Sequence, residues 1–147
     1  MEKIMLGLTN RTRTVLWFAT FVALTISTAA AAVAADLSSP EATLAGYIES
    51  LRKGNVNGVL ERYEGITKFH LPKPIPIQRY SIIKKVTFTS TEVADWNANG
   101  IVPPAKIGDV ELQVSERVND KEYMFSYNFR NMRGSWKIIA YSAWGAD

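Results

Sequence analysis

Alternating apolar and polar side chains in the last third of the chain restrict its fold more than any other feature. The pattern runs from Asp109 to Val118 and recurs from Lys121 to Asn131. Successive side chains of a strand point to opposite faces of a sheet, so each segment predicts a strand with one apolar face. Asn119-Asp120, which lies between them, is typical of a two-residue hairpin turn. The sequence therefore predicts antiparallel pairing of these two strands.

The register of this sheet follows from requiring that apolar residues face each other. The Asn119-Asp120 turn predicts three opposed pairs: Val110 with Phe129, Leu112 with Tyr127, and Val114 with Phe125. A four-residue loop over 131–134 predicts three further pairs: Phe129 with Trp136, Tyr127 with Ile138, and Phe125 with Ala140. Together the two hairpins predict a three-stranded meander.

Two helices are predicted before the sheet. A serine followed by Pro40 and Glu41 is typical of a helix start, and Gly54 suits a helix end, so the first helix is expected over Pro40 to about Lys53. A second, shorter helix is expected from Asn55 to about Glu64. The chain therefore opens with a helical hairpin.

The middle of the chain is less regular. Prolines at alternate positions in 69–77 favour an extended loop or an edge segment, because proline lacks a backbone N–H. The β-branched residues from Tyr80 to Val93 predict a strand, and Asn99-Gly100 with Pro103-Pro104 predicts a long turn. The expected fold is α+β, with the helical hairpin packed on an antiparallel sheet.

An uncharged stretch from Val15 to Ala35 follows the basic residues Lys3, Arg11 and Arg13 and ends in small residues. This layout predicts a cleaved signal peptide over residues 1–35 and a single domain over 36–147, exported to the bacterial periplasm or outside the cell. An uncleaved membrane anchor is the alternative, since the run is nearly long enough to cross a bilayer.

Charge and composition exclude several classes of function. Three of the 17 basic and one of the 14 acidic residues lie in the leader, so the mature chain has 14 basic and 13 acidic residues and no nucleic-acid footprint. The chain has no cysteine, and its one histidine, His70, lies in the proline-rich segment. No metal site is therefore predicted. Without a glycine-rich phosphate loop, no cofactor is predicted either.

The order of motifs resembles a known superfamily. A "PEA" helix at Pro40, a "GN" break at Gly54 and a final "GSWKI" strand from Gly134 are similar to small secreted bacterial members of the nuclear transport factor 2-like superfamily. The resemblance implies a curved sheet that wraps the helices into a cone of the ketosteroid-isomerase type. A ligand or an active site often lies in the mouth of that cone. Because the superfamily includes enzymes, binding domains and secretion-system subunits, the resemblance assigns no function.

A polar row interrupts the apolar face of the predicted meander. The predicted registers place Glu116, Tyr123 and Ser142 side by side across three strands. A desolvated Glu116 next to the Tyr123 hydroxyl would suit a general base. The favoured interpretation is simpler: Glu116 lies near a hairpin end, where the sheet can extend past the core and leave the carboxylate in water.

The aromatic stripe on the same face has two interpretations, core packing or a pocket wall. As a pocket wall it gives the candidate ligand-binding residues Tyr123, Tyr127, Trp136 and Ser142. The leading hypothesis is an exported, non-catalytic binding module for a small apolar or mixed ligand or for a protein partner. Two alternatives stay open: a small isomerase or lyase that uses Glu116 and Tyr123, and a membrane-tethered interaction subunit of an envelope complex. A homodimer through the sheet is compatible with each of them.

Overall fold

The computed structural model describes residues 34–146, so the predicted signal peptide lies outside the described residues except for its last two positions. The described part consists of helices packed on an antiparallel sheet, which confirms the α+β class. In chain order its elements are α1 (Pro40–Lys53), α2 (Val56–Leu60), β1 (Ile77–Thr87), α3 (Ser90–Ala98), β2 (Val110–Val118), β3 (Lys121–Met132) and β4 (Ser135–Ala146).

The first helix has the bounds that its capping residues predict. The Ser39 side chain accepts a hydrogen bond from the backbone N–H of Ala42 at 3.0 Å, and Gly54 ends the helix in the left-handed conformation, with φ of 68°. Leu44 and Ile48 are fully buried on the face that packs against the sheet. Helix α1 therefore covers one face of the sheet.

The second helix is shorter than predicted and ends at Leu60 instead of Glu64. Two backbone hydrogen bonds join the following residues to β4, one from Glu64 N–H to Ile138 O at 2.9 Å and one from Ile138 N–H to Arg62 O at 2.8 Å. These groups cannot also continue the helical ladder. The segment after α2 thus covers part of the outer edge of β4.

The predicted strand over Tyr80 to Val93 is wrong in its last part. Strand β1 ends at Thr87, and α3 begins at Ser90. Thr89 and Glu92 form a reciprocal capping box, in which Thr89 N–H donates to the Glu92 carboxylate at 2.8 Å. This cap stabilises a helix start within a sequence of strand-forming residues.

The sheet has the strand order β1-β2-β3-β4, and all its pairs are antiparallel. The predicted β2–β3 register is confirmed, with Val110 opposite Phe129 and Val114 opposite Phe125. Asn119 and Asp120 both have positive φ, 49° and 64°, as the two-residue hairpin turn requires.

The predicted β3–β4 register is wrong. The turn contains only Arg133 and Gly134, both with positive φ, so that Trp136 lies opposite Asn131 and Ile138 opposite Phe129. An irregularity after that pair shifts the register by one more residue, as expected for a β-bulge. As a result Tyr141 pairs with Tyr127, and Tyr127 lies on the face covered by α1.

The core lies between this sheet face and the helical hairpin. Its fully buried members are aliphatic or aromatic side chains from both layers: Leu44, Ile48, Val59, Leu112, Val114, Phe129 and Ile138. Across residues 34–146, no helix has the length and apolar character needed to cross a membrane.

Candidate functional site

A pocket of about 280 Å³ opens at one end of the core, beside the last turns of α1. Tyr47 and Leu51 of α1, together with Phe69, Ile75 and Ile77, line one side. Besides Ile77, the first residue of β1, the sheet supplies Glu116, Val118, Tyr123, Phe125, Tyr127 and Tyr141. Glu116 is thus the one carboxylate in a lining that is otherwise aliphatic or aromatic.

The proline-rich segment lines one side of the pocket. Its backbone is held to the end of α1, because Ile75 N–H donates to Leu51 O at 3.0 Å. Pro74 and Pro76 on either side have no N–H to satisfy, which suits an extended segment outside the sheet. Phe69 and Ile75 consequently pack against the core while the prolines remain at the surface.

Glu116 is only 3% exposed, so the favoured prediction that water surrounds it is wrong. It continues the helix-side face of β2 after Val114. Phe69 and Ile75, from the proline-rich segment, line the same pocket and lie on its other side. The Tyr127 hydroxyl donates a hydrogen bond to Glu116 Oε1 at 2.6 Å.

Burial raises the pKa of Glu116 above its ordinary value of 4.5. The hydrogen bond from Tyr127 and the positive charge of Arg52 act in the opposite direction, and burial is the larger effect. Burial also raises the pKa of Tyr127, with the nearby Glu116 charge adding to it, so this phenol stays protonated and remains a donor. Glu116 therefore binds its proton more tightly in the pocket than a glutamate does in water.

Stacked and edge-on aromatic rings hold the pocket wall in place. Tyr127 contacts Tyr47 edge-on, with 5.7 Å between ring centroids, and stacks on Tyr141 at 6.1 Å. Phe125 lies 5.8 Å from Tyr127 in a tilted arrangement. Aromatic pairs at these separations contribute about 0.5–1.5 kcal/mol beyond burial. The donor to Glu116 is thus fixed by rings from α1, β3 and β4.

The structure brings some of the predicted site residues together and separates others. Glu116 pairs with Tyr123 as predicted, and Tyr123 and Tyr127 both line the pocket. The polar row across three strands is wrong, because the bulge in β4 places Ser142 opposite Ser126. Ser142 therefore lines a different pocket, of about 470 Å³, on the other sheet face. Trp136 packs against the core near the β3–β4 turn.

Several pocket residues were not predicted as site residues, above all Tyr47, Leu51 and Tyr141. Tyr47 and Leu51 are one turn apart on the apolar face of α1, a pattern that core and pocket residues share. Tyr141 reaches this face only because of the bulge. The Tyr127–Glu116 hydrogen bond joins residues that are not directly opposed, so the strand register alone does not predict it.

The pocket offers a single carboxylate and several phenols. Among the described residues, no three His, Asp or Glu side chains come together as a set that could hold a metal ion. Comparisons with protein-family models, with curated proteins and with solved structures found no match to this chain. The resemblance to the nuclear transport factor 2-like superfamily thus stays a prediction from sequence motifs.

Proposed function

We propose that this protein is an exported binding domain whose pocket takes a small, mostly apolar ligand anchored at Glu116. The observation that carries the proposal is a carboxylate that is 3% exposed, accepts one side-chain hydrogen bond, from Tyr127, and lines an otherwise apolar pocket. Apolar pockets with one or two polar groups are typical of small-molecule sites.

The cost of burying Glu116 supports this proposal. A buried carboxylate destabilises the fold unless hydrogen bonds or a countercharge compensate it. An aliphatic residue at this position would continue the pattern of Val110, Leu112 and Val114 and would extend the core. A ligand that contacts the carboxylate would supply the compensation that the fold itself lacks.

We also propose the finer fold suggested by the motifs, a curved sheet wrapped around the helices as a cone. The element order supports it, since a helical hairpin precedes an antiparallel sheet. The position of the pocket, between α1 and one end of that sheet, supports it as well.

Filling the pocket tests the binding proposal. We expect benzyl alcohol and phenol, used as neutral one-ring probes, to shift backbone NMR signals of Tyr47 and Val118, which line the pocket. Val118→Trp should weaken their binding at least tenfold. Val102→Trp is the matched control, because Val102 is 81% exposed and lines the pocket on the other face of the sheet. Equal binding by both variants would reject this pocket as the site.

A second candidate function is acid–base catalysis, as in a small isomerase or lyase. The raised pKa of Glu116 favours it, because a general base works best when its pKa is close to the operating pH. Tyr123 lines the same pocket and could donate a hydrogen bond to a substrate oxygen. Glu116 would then remove a proton from a carbon next to that polarised oxygen.

Deuterium exchange tests the catalytic candidate without knowledge of the substrate. If Glu116 is a base, the wild-type protein should accelerate exchange of the methyl hydrogens of acetophenone in D₂O. Glu116→Gln should then slow the catalysed exchange by about 10²–10⁴. Equal rates with the two proteins would leave binding as the function of the pocket.

The proposed export depends on residues 1–35. We expect protein from the cell envelope to begin at Ala35 or Asp36 and to leave membranes on washing with carbonate. An intact mass that corresponds to Met1–Asp147 in the membrane fraction would instead favour a membrane-tethered subunit.

A further inference from the structure

The charge of Glu116 has no direct partner in the described part of the chain. The ion pairs found there involve other carboxylates, such as Glu49, Asp109 and Glu122. Arg52 contributes a favourable field but is bound elsewhere. Its Nε donates to Ile77 O at 2.8 Å.

The second oxygen of this carboxylate is available to a ligand. Tyr127 donates to Oε1, and no side-chain hydrogen bond to Oε2 is formed within residues 34–146. A carboxylate can accept several hydrogen bonds in total, so at least one good acceptor site remains on a residue that lines the pocket. A ligand with an N–H or O–H group could fill it.

Aromatic rings dominate the remaining lining. Tyr47, Phe69, Tyr123, Phe125, Tyr127 and Tyr141 contribute rings from α1, the proline-rich segment, β3 and β4. The face of an aromatic ring carries partial negative charge and attracts cations within about 6 Å of its centroid. Rings around one carboxylate make the pocket favourable to positive charge.

We propose that the ligand of this pocket is a small organic ammonium ion, an amine with an apolar group, held by Glu116 and the surrounding rings. This inference rests on the proposed binding function. The ammonium N–H would donate to Glu116 Oε2, and the apolar group would lie against side chains such as Leu51 and Ile77. An inorganic cation would lack ligands, because the lining offers one carboxylate. An anion would meet the charge of Glu116.

Three one-ring probes of similar size test this inference: benzylammonium, benzyl alcohol and phenylacetate. At a pH where Glu116 is ionised, isothermal titration calorimetry should show wild-type protein binding benzylammonium at least tenfold more tightly than benzyl alcohol. Phenylacetate should bind most weakly. Because this preference is measured on the wild-type protein, it does not depend on the folding of any variant.

Two variants assign the preference to one carboxylate. Glu116→Gln keeps the side-chain shape but removes the charge, so benzylammonium and benzyl alcohol should then bind within about threefold of each other. Glu122→Gln, on the next strand, is the matched control, because Glu122 pairs with Arg79 and does not line the pocket. This control should keep the wild-type preference.

The outcomes separate the two proposals. If benzyl alcohol binds the pocket as tightly as benzylammonium, the ammonium inference is wrong and the binding proposal stands. If Glu116→Gln retains the ammonium preference, the inference is also wrong. If none of the probes binds the wild-type pocket, both proposals fail.

Discussion

Two carboxylates at opposite ends of β2 are equally buried but differently paired. Asp109, just before the strand, and Glu116, near its end, are each 3% exposed. Arg130 binds both oxygens of Asp109, through Nε at 2.9 Å and Nη2 at 2.6 Å, and Lys106 N–H adds a bond at 2.9 Å. Glu116 receives one side-chain hydrogen bond, from Tyr127.

This difference indicates that Asp109 has a structural role and that Glu116 is a candidate for ligand binding. The Asp109–Arg130 pair holds the loop before β2 against β3, since Arg130 also donates to Pro104 O at 2.8 Å. All its strong contacts lie within the protein. The contacts of Glu116 are incomplete within the described chain, and the space beside it is a pocket. A buried charge without full compensation is a reason to expect a ligand.

Asp109→Ala should change the stability of the protein more than the other substitutions described below. Asp109→Ala leaves the Arg130 guanidinium largely buried without its carboxylate, so the free energy of unfolding should fall by about 3–5 kcal/mol. Urea denaturation measures it. Asp95→Ala, on the exposed surface of α3, should change stability by no more than about 0.5 kcal/mol. Similar losses in both variants would show that the Asp109–Arg130 pair is not a structural anchor.

Glu116→Gln should raise the free energy of unfolding, by less than Asp109→Ala lowers it. Because the folded state holds the Glu116 proton more tightly than the unfolded chain, the wild-type protein loses stability as the pH rises from about 4.5 to the raised folded-state pKa. The loss is about 1.4 kcal/mol for each unit between the two pKa values. Glu116→Gln lacks this loss, so its advantage over the wild-type protein should be larger at pH 8 than at pH 4.

Glu122→Gln is the matched control for that pH dependence. Hydrogen bonds from Ser115 and Arg79 lower the pKa of Glu122, so its contribution to stability is present above the ordinary value of 4.5 and is lost as the pH falls. The control should therefore lose a little stability relative to the wild-type protein at neutral pH. An advantage for Glu122→Gln that grows with pH would contradict the assignment to Glu116.

The smallest change is expected for Tyr127→Phe, and it concerns the pKa of Glu116. Tyr127→Phe removes the only side-chain donor to this carboxylate among the described residues, so the pKa of Glu116 should rise further. Carbon-13 NMR of the Glu116 side chain measures it. Tyr141 stacks on Tyr127 and is 54% exposed. Tyr141→Phe should therefore leave the pKa of Glu116 closer to the wild-type value. An unchanged pKa in Tyr127→Phe would mean that the bond contributes nothing to the ionised form.

The predictable parts of the fold are those in which local chemistry and side-chain alternation agree. The caps at Ser39 and Gly54 correctly gave the bounds of α1, and the Asn119-Asp120 turn fixed the β2–β3 register. Helix α3 was not predicted because the strand propensity of its surroundings outweighed the Thr89–Glu92 capping box. Here the capping box determines the local structure in spite of the β-propensity of its neighbours.

The unpredicted parts depend on a bulge and on long-range packing. Alternation cannot reveal the extra residue in β4 that pairs Tyr141 with Tyr127 and sends Ser142 to the other face. The pairing of Glu116 with Tyr123 follows from the hairpin, but the pocket around Glu116 also needs the proline-rich segment, some 40 residues earlier in the chain. No local pattern predicts where such a segment will pack.

Titration of Glu116 decides whether this carboxylate is buried beside a pocket without a countercharge. Carbon-13 NMR of the side-chain carboxyl carbon, recorded on the wild-type protein from pH 3 to pH 9 with Glu116→Gln used for assignment, gives its pKa. We expect the pKa of Glu116 to lie above the ordinary value of 4.5 and that of Glu122 to lie below it. A Glu116 pKa at or below 4.5 would show that the folded protein does not desolvate this carboxylate.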